Sequence, residues 1–280
     1  MSAEVEWHDA TDSEGMPTRE FRISRAGKRD ITGALWLPGS TPACRTLICV
    51  GHGASGDRYQ APICSLAARF VDEIGLPVLS LDGPVHGLRQ VGDGGRGAFF
   101  PEFQRDGCME DMVDDWTCAV FQAQSLAAIG IGNLAYFGLS MGSLFGIPFL
   151  ASRDDVTVAA LGLVGVESGF PHDQILLDAA TKIDCPLVFL MQLEDELFVR
   201  DGYLKVFDAF ASVDKRLHAN PGLHPQIPGE EIDFVEMDKL WNNITTSKFE
   251  GDKIGAIELK MAQKRNAMHQ IIESDRRQIE

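Results

Sequence analysis

Between residues 46 and 220 the chain alternates short, continuous apolar runs with stretches whose apolar residues recur every three or four positions. The runs read as buried strands and the periodic stretches as helices, and their regular alternation predicts a mostly parallel sheet with helices on both faces. Strands are expected at Thr46 to Val50, Pro77 to Leu81, Leu134 to Phe137, Val156 to Val164, Leu187 to Leu193 and Lys215 to Ala219. Helices are expected at Ala61 to Ile74, at Gly107 to about Ala128 with Met112, Trp116, Val120 and Phe121 on one face, and directly after Ser140. Two more follow at Asp173 to Ala180 and Gly202 to Ala211. Ahead of this series, Arg19 to Ser24 and Asp30 to Leu37 read as an antiparallel hairpin turned through Arg25-Ala26-Gly27-Lys28, forming the edge of the sheet. The glycine-rich stretch Gln90 to Pro101 reads as irregular. Past the last strand, Gly222-Leu223-His224 falls in a loop, and Asp233 to Asn243 and the highly charged Lys253 to Ile279 read as helices.

No shift of composition divides the 280 residues, which suffice for one large α/β domain. The whole chain, 1–280, is therefore expected to be a single domain, with a core over about 19–245 and a helical extension over about 246–280. Apolar residues make up 45% and no run of them approaches the roughly 18 needed to span a bilayer, so no membrane association is expected. The acidic start, Met1-Ser2-Ala3-Glu4-Val5-Glu6, lacks a basic segment followed by an apolar one, and as a native start it predicts a cytoplasmic protein. A net charge of -16 without clustered Lys and Arg argues against nucleic acid as a partner. The six cysteines, 44, 49, 64, 108, 118 and 185, form no C-x-x-C pair and mostly lie in apolar surroundings, so free buried thiols are expected rather than disulfides or zinc ligands.

The chemistry concentrates where strands end. Gly138-Leu139-Ser140-Met141-Gly142 lies between the apolar run Ile131 to Phe137 and the helical stretch Leu144 to Leu150. A serine with glycines two positions away on either side suits a sharp strand-to-helix turn that projects Oγ, which makes Ser140 the candidate nucleophile. A serine hydroxyl needs a general base, and the base needs a carboxylate to orient it, in the chain order Ser, acid, His. His224, in the loop after the last strand, is the preferred base over His218, which lies within that strand, and over His269 in the charged tail. For the acid, Glu194-Asp195-Glu196 closes a strand, and Asp195 is favoured over its two neighbours, which would be surface charges. The oxyanion of acyl transfer calls for the N–H of the residue after the nucleophile, Met141, and a second from His52-Gly53-Ala54-Ser55-Gly56, where Ala54 is preferred and Gly53 is the alternative. In Asp82-Gly83-Pro84-Val85-His86-Gly87-Leu88-Arg89, His86 is expected to fix the loop or to touch substrate. Phe99-Phe100-Pro101-Glu102-Phe103 reads as a wall of the acyl pocket, or as core.

Taken together, Val50-Gly51-His52-Gly53, Asp82 to Arg89, Gly138 to Gly142, Asp195-Glu196 and Pro221-Gly222-Leu223-His224 resemble the α/β-hydrolase superfamily, closest to its dienelactone-hydrolase-like and small bacterial serine esterase branches, over roughly residues 19–245. The resemblance implies a Ser140, Asp195, His224 triad working through an acyl-enzyme, with no metal and no organic cofactor. The dienelactone hydrolases proper use cysteine where this chain has Ser140. Between Glu167 and Pro186 there is room for one short helix and not for the large helical cap of many relatives, so an open site partly covered by Gln90 to Phe103 is expected.

The expected activity is hydrolysis of carboxylic esters, with a small acyl compound as substrate. Acyl transfer, thioester cleavage and peptide cleavage use the same triad, and an inactive relative would bind a ligand in the same pocket. The tail positions Ile254, Ile257, Met261 and Met268 would pack on the domain or make a homo-oligomer.

Overall fold

The computed structural model describes residues 4–39, 46–126 and 132–226, apart from the side chains of 95 and 96. Cys44, His269, the two expected helices after residue 232 and the oligomer contact proposed for the tail lie outside the described residues. Nine strands make one sheet: β1 (Glu4–Thr11), β2 (Pro17–Ser24), β3 (Ile31–Trp36), β4 (Thr46–Gly51), β5 (Val78–Leu81), β6 (Asn133–Leu139), β7 (Val156–Gly162), β8 (Leu187–Gln192) and β9 (Lys215–Asn220). Their spatial order is β1-β2-β3-β5-β4-β6-β7-β8-β9. From β5 to β9 all neighbours run parallel, while β1, β2 and β3 pair antiparallel with each other and β3 pairs antiparallel with β5.

Parallel strands must be covered on both faces, and β4, β5 and β8 are buried along their whole length. One face packs against α1 (Ala61–Ala68) and the π-helical turn that continues it over Arg69–Ile74, through Ile63, Leu66 and Phe70. The other is covered by α2 (Gly95–Phe103), α3 (Cys108–Leu126), α4 (Met141–Ala151), α5 (Asp173–Ala180) and α6 (Arg200–Ala209). The strand order reverses at β4, which has β5 on one side and β6 on the other. The carboxyl ends of β4 and β6 therefore flank a crevice at the point where ligands gather in such sheets.

Four expectations are corrected here. The sheet edge is β1, not the hairpin; its Val5 and Trp7 alternate inward, and the Trp7 ring lies 5.1 Å from that of Phe21. The stretch read as irregular holds most of α2, a nine-residue helix that runs on to Phe103 with Pro101 in its last turn. Phe121 does not share the buried face of α3: it is 63% exposed, because it follows Val120 by one position and points roughly 100° away. The helix expected from Gly202 begins at Arg200 and ends at Ala209. Among the described residues, the five cysteines are free thiols, and no helix is long and apolar enough to cross a membrane.

Candidate active site

Ser140 sits between the last residue of β6 and the first of α4 with φ 56° and ψ -119°, a conformation that L residues adopt only under strain. Close packing enforces it. A Cβ on Gly142 would lie 2.4 Å from the carbonyl oxygen of Gly51 at the end of β4, so α4 starts hard against the neighbouring strand. The Ser140 N–H donates to Gly162 O (3.0 Å). Beside it, the fully buried Ser143 accepts from the Gly162 N–H (2.8 Å), with Gly138 O 2.6 Å from its hydroxyl. Ser143 thereby fastens the ends of β6 and β7 under the turn, a role that the sequence pattern did not single out.

The structure brings Ser140, His224 and Asp195 into one line. Ser140 Oγ is 2.9 Å from His224 Nε2, and His224 Nδ1 is 2.7 Å from Asp195 Oδ2. The side chains of His224 and Asp195 are 5% and 1% exposed. Burial pushes the Asp195 pKa up, but bonds from His224, from the Tyr203 hydroxyl and from the Leu197 N–H favour the carboxylate more strongly and hold it below its ordinary value. Tyr203 pays the complementary cost, its own pKa raised by burial and then by Asp195. His218 stays on β9, as expected for a strand histidine.

The two carboxylates beside Asp195 are exposed, as expected of surface charges, and each also takes a backbone N–H. Glu196 accepts the backbone N–H of His224 (2.8 Å), and Glu194 accepts that of Gly222. Gln192, at the end of β8, donates to Leu223 O (3.2 Å) and Gln226 O (2.7 Å). The loop carrying His224 is therefore held at four points from β8 and the turn after it. The Glu196 carboxylate, with the His224 N–H as the main cause, has a lowered pKa.

Across the crevice, His52 fixes the other wall. Its Nε2 accepts the Gly83 N–H (2.8 Å), which leaves the proton of the neutral ring on Nδ1, and that N–H donates to Gly53 O (2.8 Å). The His52 pKa is pushed down to about 4, chiefly by burial. Gly53 O also accepts from Gly56 N–H (3.1 Å), and the Gly53 N–H donates to Gln60 Oε1 (2.9 Å). No peptide among the described residues is cis, so the Ala54 N–H points opposite to the Gly53 carbonyl, away from His52. Gly53's own N–H is spent on Gln60, which favours Ala54 of the two candidate donors. Met141 opens α4, so its N–H has no carbonyl four residues back within the helix.

His86 does not reach the crevice, correcting its assignment as a substrate contact. It is 3% exposed, and its ring spans backbone carbonyls, Nδ1 2.7 Å from Pro84 O and Nε2 3.0 Å from Ala54 O. The loop that carries it is anchored by Asp82, which is fully buried and accepts from Thr32 Oγ1 (2.6 Å), the Leu88 N–H (3.1 Å) and Arg58. Between the two walls lies a cavity of about 210 Å³ at Ser140, bordered by Gly53, Ala54, Met141 and His224 at its polar end. Phe99, Phe100, Phe170 and Phe198 line its apolar part, and no Asp, Glu, Lys or Arg contributes to it.

No protein-family model and no curated protein matches the chain. Solved structures do. A cold-adapted esterase from an Arctic intertidal metagenomic library, bound to polyethylene glycol, superposes with a TM-score of 0.71 at 27% identity over 83% of this chain and 98% of that one. An acetyl xylan esterase from Paenibacillus sp. R4 gives 0.63 at 14% identity, over 84% and 89% of the two chains. The esterase Pf2001 of Pyrococcus furiosus gives 0.55 at 16% identity, over 86% and 93%. The fold is that of the α/β-hydrolase superfamily.

Among the described residues the fold carries little above its sheet. Between β7 and β8 there is only α5, and the element that walls the cavity from the side is α2, which supplies Phe99 and Phe100. Phe99 is buried and stacks at 5.3 Å on Phe103, while Phe100 stacks at 5.8 Å on Phe170 from the segment after β7. Among the described residues no group of three His, Cys, Asp or Glu is placed to hold a metal ion.

Proposed function

We propose that the chain is a serine hydrolase that cleaves carboxylic esters through Ser140, His224 and Asp195. The observation that carries this reading is the continuous hydrogen-bonded line from Ser140 Oγ to Asp195 Oδ2 at the polar end of an uncharged cavity. The similarity at 27% identity to an esterase supports it.

Asp195, ionised, accepts the Nδ1–H of His224 and so presents the Nε2 lone pair to the Ser140 hydroxyl. As Oγ bonds to the substrate carbonyl carbon, its proton passes to Nε2, and the N–H groups of Ala54 and Met141 stabilise the oxyanion. Collapse breaks the bond to the leaving alkoxide, which takes the proton from His224 Nε2, and the acyl group remains on Ser140. Water then repeats the sequence against the acyl-enzyme and releases the acid.

Three experiments test the reading. Labelling with a fluorophosphonate probe, followed by peptide mapping, should place the adduct on Ser140, and p-nitrophenyl esters of short to medium acyl length should turn over. Ser140→Ala should lower kcat by several orders of magnitude, on the order of 10⁴ or more, with an unchanged fold. A folded protein with neither label nor turnover would instead be a binding module, and an active Ser140→Ala would move the nucleophile elsewhere.

A further inference from the structure

A second cavity, about 430 Å³, lies away from Ser140 and differs from the first in every chemical respect. Its wall gathers five cationic side chains from three parts of the chain: Arg25, Lys28 and Arg29 from the β2–β3 turn, Arg89 from the loop after β5, and Arg105 from the link between α2 and α3. Arg25, Lys28 and Arg29 are already close in sequence, which the expectation of no clustered Lys and Arg passed over, and the fold adds Arg89 and Arg105 to them in a chain whose net charge is -16.

Three carboxylates face these five cations, and each is shared. Asp115 takes Arg25 on one oxygen and Arg89 on the other (2.8 Å). Glu102 takes Arg29 on Oε2 and Arg105 on Oε1, both at 3.0 Å. Asp111 takes Arg105 (2.7 Å) and lies 3.7 Å from Lys28. Asp114, which does not line the cavity, adds a bond to Lys28 (2.6 Å), so positive charge remains in excess. Hydrogen-bonding capacity is in excess as well. A guanidinium offers five N–H groups, yet Arg29 spends one on the described residues, and the Nε of Arg25 and of Arg89 have no partner there although the Arg89 side chain is 4% exposed.

An ion-pair network whose sole task was to clamp the β2–β3 turn to α2 and α3 would be expected to saturate its buried donors, because a buried guanidinium N–H without a partner is costly. This one leaves the Nε of Arg25 and of Arg89 without a partner among the described residues and stands around an open space. We propose that the cavity binds a small multivalent anion, one with two or more anionic oxygens such as a phosphate or a di- or tricarboxylate. Planar guanidinium forks pair with either group through two parallel hydrogen bonds. Arg29 and Arg105, the most exposed of the four arginines, with 39% and 43% of their side chains accessible, are the residues an incoming anion reaches, and Glu102 is the internal carboxylate it displaces.

The test uses the full chain, inorganic phosphate and citrate as separate probes, and ionic strength held constant with sodium chloride. Calorimetric titration should give saturable binding of at least one probe, and which one it is tells phosphate from carboxylate chemistry. Arg29→Gln with Arg105→Gln should weaken that binding by roughly tenfold or more, the worth of about one charge-assisted hydrogen bond. Glu102→Gln should strengthen it several-fold, because Arg29 loses its carboxylate partner and Arg105 keeps only Asp111. A network that only clamps the fold predicts the opposite for Glu102→Gln: lower stability and no gain in anion binding. No saturable heat with either probe, or binding indifferent to all three substitutions, would overturn the proposal. Neither readout depends on Ser140.

Discussion

His52 is the point at which the proposed oxyanion wall is most open to attack. Its Nδ1–H holds the carbonyl of the same peptide whose N–H, on Ala54, would receive the oxyanion, and its Nε2 accepts from Gly83. Asparagine places an amide near the position of Nδ1, and glutamine places one near Nε2. His52→Asn therefore keeps the donor to Gly53 O and loses the acceptor for Gly83, while His52→Gln does the reverse. Removing an oxyanion donor outright costs about 10²–10³ in kcat. His52 only aims the donor, and Gly56 N–H still holds Gly53 O at 3.1 Å, so the loss should be near that of one neutral hydrogen bond, about 0.5–1.5 kcal/mol. For His52→Gln this means a kcat lower by roughly threefold to tenfold with KM little changed, and for His52→Asn a smaller effect. Ester turnover across a range of substrate concentrations decides it. Equal losses in both variants, or the larger loss in His52→Asn, would refute the aiming role and leave His52 as a loop brace. Stability gives a second readout. The folded pKa, about 4, lies below the ordinary value of 6.5, so the unfolded chain binds more protons between them and stability falls as pH drops through that window. Geometry gives the same sign, since a proton on Nε2 would face the Gly83 N–H. The contribution, on the order of 3 kcal/mol by pH 4, is absent in both variants, so their Tm deficit relative to the parent should shrink on acidification.

Tyr203→Phe removes one donor to Asp195 without changing the packed ring. The Asp195 pKa should rise towards its ordinary value, so the stability its ionised form contributes, present above the unfolded pKa and lost as pH falls through the folded one, begins to fail at higher pH in Tm measurements. An acid limb identical to the parent's would mean the hydroxyl does not act on Asp195. Gly142→Ala drives a Cβ to 2.4 Å from Gly51 O and 2.8 Å from its carbonyl carbon. Both atoms belong to backbone in the centre of the sheet, so the variant should lose about 1–3 kcal/mol in denaturant unfolding and most of its ester turnover.

Most of the parallel half of the sheet was legible because β4 to β8 are buried over most or all of their length and so read as near-continuous apolar runs, a pattern with few alternatives, whereas the edge strand β9 is polar and largely uncovered. Regions where covering is partial were harder. In β1 only Val5 and Trp7 pack on the core, and two core-facing positions in eight fall below what alternation needs to stand out from a polar terminus. In α2 the glycines at 95 and 97 and the proline at 101 lower intrinsic helix propensity, and tertiary contact outweighs them: Phe99 and Phe103 are buried against α3 and α4. Of the site, Ser140, Asp195 and His224 could be named because each lies at a strand end and their order along the chain is constrained. Ser143, Tyr203 and Gln192 could not, since nothing in spacing tells that a hydroxyl or amide will meet a particular backbone group across the sheet. Of the two roles expected of His86, loop fixing and substrate contact, its ring takes the first: proximity in sequence to a strand's carboxyl end does not say on which side of the loop a ring falls.

The acidic run Glu194-Asp195-Glu196 shows how three similar side chains can divide one task. Choosing a single acid treats the other two as surplus, yet the turn after β8 sends the middle carboxylate inward to His224 Nδ1 and the outer two to backbone N–H groups of Gly222 and His224 itself. Position in the turn, not acidity, separates the roles. Asp195, the shortest of the three by one methylene, also accepts the N–H groups of Leu197 (2.7 Å) and Phe198 (3.0 Å), so its carboxylate is locked to its own turn before it meets the imidazole. The longer glutamates span from that turn to the next loop. Orientation of the proposed base thus comes from two directions at once, the ring through Asp195 and the backbone through Glu196. A base held at both ends surrenders little further entropy when the reaction begins.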